Sequence, residues 1–174
     1  MTPSSPTPPA FSTVVHLPHQ WFVATRSAAL GKKPLRTWLR GLPVVLFRDG
    51  AGEVGALLDR CPHRNVPLSE GRRRADGTLE CRYHGWCFDA GGACRRIPGH
   101  QGETDTPSRK VPRFAVRELD GFVWLWATPD EDPTGEPFRF PHLDTPGYTH
   151  VRRSFQVEST LHAMIENTLD VPHT

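Results

Sequence analysis

The chain is short of cysteine, of long apolar runs and of charge imbalance. Only four cysteines occur in its 174 residues, at positions 61, 81, 87 and 94. The first ten residues, MTPSSPTPPA, have neither the basic start nor the apolar stretch of a secretory leader. No apolar run reaches the roughly 18 residues that a membrane-spanning helix needs. Together these features predict a cytoplasmic protein with free thiols rather than a secreted disulfide scaffold. The formal net charge is only +2, and the Arg stretches lack interleaved aromatics, so nothing points to nucleic acid. Six histidines (16, 19, 100, 142, 150 and 162) match no motif.

What is abundant is turn chemistry, with 15 glycines and 18 prolines. Short apolar or alternating runs begin at Trp21, Leu35, Val44, Val54, Thr78, Trp86, Arg113 and Phe122. Turn signals such as Asp49-Gly50, Asp76-Gly77, Gly91-Gly92 and Asp120-Gly121 fall between many of them. Many short strands at close spacing predict a mainly β sandwich or barrel over residues 15–128. Residues 1–14 are expected to be a disordered Pro/Ser/Thr-rich tail. Residues 98–112 read as a surface loop, and the proline-dense stretch 129–147 reads as a linker. Beyond it, Thr149–Val157 is expected to be a strand. Residues 159–170 are expected to form a helix with Ser159 as N-cap and Leu161, Met164, Ile165 and Leu169 on one face.

Two clusters carry chemistry. Cys61-Pro62-His63 and Cys81-Arg82-Tyr83-His84 each supply one thiolate and one imidazole. Two cysteines and two histidines are the ligand set of a Rieske [2Fe–2S] centre, where the cysteines hold one iron and the histidines the other. A structural zinc ion is the competing occupant, but zinc spacings usually pair Cys with Cys and His with His. Pro62 stiffens the first loop, Gly85 permits a tight turn after His84, and Trp86 is placed to cover the centre. Arg72-Arg73-Arg74 and Arg95-Arg96 read by default as solvated basic surface, with docking of an acidic reductase as the functional alternative.

These motifs, Cys61-Pro62-His63-Arg64 and Cys81-Arg82-Tyr83-His84-Gly85-Trp86, resemble the Rieske domain of non-haem iron oxygenase α subunits, the aromatic ring-hydroxylating type. The resemblance extends from Trp21-Phe22-Val23 through Val44–Arg48 to Phe122–Trp126. One departure is Asn65, where these oxygenases usually carry Gly; it is expected to alter the loop locally without removing a ligand. Respiratory Rieske proteins have an extra disulfide between the two loops. The matching positions here are Val66 and Tyr83, so the chain resembles the oxygenase and ferredoxin type. Its potential is expected toward the lower end of roughly −150 to +300 mV.

The stretch Asn167-x-x-Asp170-x-x-His173 resembles the motif that opens the mononuclear-iron site of the same enzymes. The resemblance implies that His173 is one ligand of an Fe(II) held by two histidines and a carboxylate. Asp170 would bridge to a Rieske histidine of a neighbouring subunit, and Asn167 would stand behind the ligands. The second histidine and the carboxylate do not occur in these 174 residues. Residues 129–174 are therefore expected to be the truncated start of an α+β catalytic domain, and residues 159–170 to lack the sheet they would pack against.

As implied by the resemblance, a NAD(P)H-dependent reductase or ferredoxin supplies electrons, and the complete enzyme, expected as a homotrimer, uses O2 to hydroxylate or demethylate a small apolar substrate. A free-standing Rieske ferredoxin and a zinc-stabilised interaction domain are the alternatives.

Overall fold

The computed structural model describes residues 17–153 and 155–170. Ten antiparallel strands form three small sheets. β1 (Trp21–Arg26), β10 (Phe122–Trp126) and β9 (Val116–Leu119) make one sheet in that order. β2 (Leu35–Leu39), β3 (Leu42–Arg48) and β4 (Val54–Leu58) make the second. The third runs β5 (Arg72–Arg73), β6 (Leu79–Glu80), β7 (Cys87–Phe88) and β8 (Cys94–Arg96).

The second sheet is the middle layer, and β3 shows why. Val45 and Phe47 face a core shared with Leu68, Leu79, Phe88, Cys94 and Val111. Val44 and Leu46, on the opposite face, join a second core with Phe114, Val123 and Leu125. A strand buried on both faces needs apolar residues at every position rather than at alternate ones. This accounts for the unbroken run Val44–Phe47. The first of the two cores includes Cys61 and Cys81, so the thiol-bearing loops are roots of the interior.

The mainly β architecture matches the expectation from sequence, with differences at particular places. The sequence reading did not anticipate β5 and β8. The expected strand at Thr149–Val157 does not form among its described residues, where Val151 and Phe155 lie exposed with no strand beside them. The loop 98–112 is not all surface: it contains a 3-10 turn at Pro107–Arg109 and buries Val111 completely.

The proline-rich stretch is strapped to the first sheet. The Trp21 indole N–H donates to the Gly135 carbonyl at 2.6 Å. Arg113 and Arg117 pair with Asp132 and Glu136. Asp120, in the β9–β10 turn, accepts from the Phe140 N–H at 2.8 Å. Arg152 donates to the Asp120 carbonyl and lies over the Phe122 ring.

The helix α1 spans Leu161–Leu169. Its N-cap is Thr160, not Ser159: the Thr160 hydroxyl accepts from the Ala163 N–H. Ile165 and Leu169 are exposed, Leu169 to 72%. No described helix is long and apolar enough to cross a membrane.

Candidate metal centre

Two loops of matching construction present the four candidate residues. The first leaves β4, and the second joins β6 to β7. In the first, the Asn65 N–H donates to the Cys61 carbonyl at 2.8 Å, and the Cys61 N–H donates to the Val66 carbonyl at 2.9 Å. In the second, the Gly85 N–H donates to the Cys81 carbonyl at 3.1 Å, and the Cys81 N–H donates to the Trp86 carbonyl at 2.8 Å. Each loop thus closes on its own cysteine at the fourth and fifth residues onward.

Both closures require a left-handed residue at the fourth position. Gly85 has φ 69° and Asn65 has φ 56°. Asparagine tolerates this region better than other side-chain-bearing residues. The local alteration expected at Asn65 does not occur: Asn65 reproduces the turn that Gly85 makes, and the two loops close in the same way.

The cysteines and histidines segregate. Cys61 and Cys81 are buried and their thiols are within hydrogen-bonding reach of each other. His63 and His84 are exposed, with their Nδ1 atoms 3.0 Å apart. Two nitrogens at that separation can share one metal ion at bonds of about 2.0–2.1 Å. The site is thus an inner sulfur pair and an outer imidazole pair. A tetrahedral zinc site would instead gather all four donors around one point. Among the described residues, no three His, Cys, Asp or Glu side chains converge in that way. The separated pairs fit two metal ions with different ligands.

Electrostatics agree with that chemistry. Burial, with the Cys81 thiol alongside, pushes the Cys61 thiol up to about 12. Cys61 is therefore a neutral thiol in the metal-free pocket, and metal binding there must release its proton. Partial desolvation and the neighbouring His84 and Arg64 lower the His63 pKa, which favours the neutral, ligating imidazole. Burial likewise raises the thiol pKa values of Cys87 and Cys94, consistent with packed and unreactive side chains.

Aromatic rings flank both imidazoles. Trp86 stacks on His63 with centroids 4.9 Å apart and planes 3° from parallel. Tyr83 lies against His84 at 3.9 Å while remaining 60% exposed. That contact was not foreseen from sequence.

A second unforeseen residue is Asp59, two positions before Cys61 and only 1% exposed. It accepts from the Ser69 N–H at 2.7 Å and the Ser69 hydroxyl at 2.6 Å, and Arg36 Nε lies 3.2 Å away. These bonds clamp the two ends of the first loop together. The available signal was an acid directly after the apolar strand residues Leu57-Leu58.

The arginine triplet is not free basic surface. Arg72 and Arg74 both pair with Glu80, Arg74 also reaches Asp76, and Arg73 donates to the carbonyls of Arg48 and Asp49. Arg95 is likewise paired, with Asp89 and Asp105.

The remaining candidates lie elsewhere. Asn167 is exposed on α1. Asp170 caps its C-terminus, with its N–H donating to the Glu166 carbonyl. His173 lies outside the described residues.

Comparison with known proteins now bears on this arrangement. Residues 20–115 match the model of the Rieske [2Fe–2S] domain. The chain belongs to that family. It is 35% identical over 156 residues to the oxygenase component of dicamba O-demethylase from Stenotrophomonas maltophilia, covering 88% of this chain and 45% of the relative. It is 36% identical to flavonoid 8-hydroxylase 2 of Ocimum basilicum, covering 88% of this chain and 32% of that one. A crystal structure of dicamba monooxygenase with non-haem iron and dicamba aligns with TM-score 0.62 and 38% identity, over 72% of this chain and 38% of that one. This Rieske chain thus spans less than half the length of these relatives. A [2Fe–2S] cluster is the family's cofactor, and the paired donors fit it.

Proposed function

We propose that this chain is the electron-receiving, N-terminal portion of a Rieske-type oxygenase. Cys61 and Cys81 hold one iron of the [2Fe–2S] centre, and His63 and His84 hold the other. The observation that carries this reading is the separation of a buried thiol pair from an exposed imidazole pair across two matching loops. When bound, the cluster supplies one-electron transfer. The protein's own part is to keep the sulfurs in the apolar core and to bring the imidazole edges to the surface. Trp86 and Tyr83 hold the two rings, and the buried core keeps water from the sulfurs.

Residues 15–128 are read as the cluster domain and 129–174 as the start of a catalytic domain. In the complete enzyme His173 would ligate a mononuclear Fe(II), Asp170 would bridge to a Rieske histidine of a neighbouring subunit, and Asn167 would support the site. Relatives named as a demethylase, a hydroxylase and a toluene-4-sulfonate monooxygenase subunit support an O2-dependent hydroxylation or demethylation of a small apolar substrate. A reductase or ferredoxin would be the donor, and a homotrimer would bring the bridging subunit.

The test is reconstitution with iron and sulfide. Wild type should bind two irons and two sulfides and show the Rieske electron paramagnetic resonance signal when reduced. Cys61→Ala should bind no cluster. A colourless protein that takes up zinc instead would refute the assignment.

A further inference from the structure

The charges of this chain are unevenly distributed along it. The first 48 residues contain six Lys or Arg and no Asp or Glu, so all 19 acids lie from Asp49 onward. Two of those six cations are neutralised inside the fold: Arg48 pairs with Glu118, and Arg36 with the buried Asp59. Arg26 has interactions of its own. Among the described residues Lys32, Lys33 and Arg40 form no ion pair. They bracket β2, with the lysines just before it and Arg40 in the turn after it.

β2 is an edge strand of its sheet, and its outward residues are Arg36 and Trp38. Trp38 is 62% exposed, and its ring lies 5.0 Å from the Arg36 guanidinium. Leu42, beyond the turn, is exposed as well. A large aromatic and an arginine on one exposed strand face, with the exposed, unpaired Lys32 and Lys33 before the strand and the half-buried Arg40 after it, is the composition of a protein-binding hot spot. The same arginine leads inward. Its Nε is 3.2 Å from Asp59, which stands two residues before Cys61.

We propose that the β2 edge, centred on Trp38 and Arg36 and flanked by Lys32, Lys33 and Arg40, is the docking surface for an acidic electron-donor protein. This rests on the electron-receiving function proposed above. Charge complementarity identifies the partner as a protein bearing carboxylates around an apolar contact. A two-fold copy of this chain would set the basic patch against itself and repel. The cations are too few and too scattered for a nucleic-acid or membrane surface. The Asp59 link places the contact beside the first ligand loop, so the docked donor passes one electron to the centre. The donor is oxidised by one electron and the centre is reduced by one, with no atom transferred.

The test uses the cluster-loaded full chain and a reduced, acidic plant-type [2Fe–2S] ferredoxin as the probe, followed by stopped-flow absorbance. Dithionite serves as a reductant that needs no docking. Trp38→Ala should slow reduction by the ferredoxin about 5-fold, and the double variant Lys32→Glu/Lys33→Glu about 10-fold at low ionic strength. The double variant should also flatten the fall of rate with salt. Both should be reduced by dithionite at the wild-type rate, with unchanged cluster absorption. Unchanged ferredoxin rates in both variants would overturn the proposal, as would equal slowing with dithionite. Self-association in sedimentation, or binding to anionic phosphatidylserine vesicles, that Trp38→Ala abolishes would reassign the surface and overturn it too. Failure of the wild-type chain to form any cluster would instead refute the function proposed above.

Discussion

Replacing Asp59 with alanine tests whether the first ligand loop is held by one buried carboxylate. The side chain is inaccessible to solvent and has three donors: the Ser69 N–H, the Ser69 hydroxyl and Arg36. A hydrogen bond to a charged group contributes about 1.5–3 kcal/mol net. Arg36 is 42% exposed and regains water when its partner goes, so its share is small. Removing the carboxylate also relieves the cost of burying it, which offsets part of the loss. The net expectation is a destabilisation of roughly 2–4 kcal/mol. At about 2–4 °C per kcal/mol for a chain of 150–250 residues, the melting temperature should drop by roughly 4–16 °C. Asp59→Asn, which keeps one acceptor, should lose about half as much. Thermal and urea unfolding of the metal-free full chain measure this directly. Bleaching of the loaded protein in air should accelerate in parallel, because the loop ends are no longer tied. A loss below about 0.5 kcal/mol for Asp59→Ala would refute the clamp. So would an Arg36→Ala variant as damaged as Asp59→Ala, since the reasoning assigns most of the energy to Ser69.

Other substitutions probe the loops and charges. Asn65→Gly should leave stability within about 1 kcal/mol and keep the cluster, whereas Asn65→Val should cost about 1–3 kcal/mol, because a β-branched residue resists the left-handed turn; chemical denaturation separates the two. The acid limb of stability should report Asp76 and Glu118. The Thr78 hydroxyl and N–H hold the Asp76 carboxyl at about 2, and Arg48 lowers that of Glu118. Both carboxyls are depressed on folding, so their contribution is complete above their ordinary values of 3.8 and 4.5 and is lost as pH falls through the folded values. The double variant Asp76→Asn/Glu118→Gln should therefore show a shallower decline below pH 4.5, and an unchanged slope would count against these pairings.

The parts of the fold that were legible in the sequence are those written locally. The two ligand loops could be read because Cys, His and the turn-forming Asn65 and Gly85 sit within six residues of one another. Val44–Phe47 could be read as a strand because the run is short, β-branched and closed by the Asp49-Gly50 turn, too short for a buried helix. Thr149–Val157 misled because its alternation is real, but a strand needs a neighbour, and none of the described residues supplies one.

What stayed hidden depends on pairing between distant positions. Arg72-Arg73-Arg74 reads as a basic surface until the register of β5 against β6 sets Arg72 opposite Glu80. Lys32 and Lys33, by contrast, are exposed and form no ion pair among the described residues. The strap at 130–152 was equally invisible. Its prolines forbid regular structure, which suits a linker and also suits a chain held by side chains. The choice is made by Trp21, Arg113, Arg117 and Asp120, all outside the segment. This strap fastens the route from the cluster domain to α1 along the first sheet. Those contacts include exposed ion pairs of small individual worth.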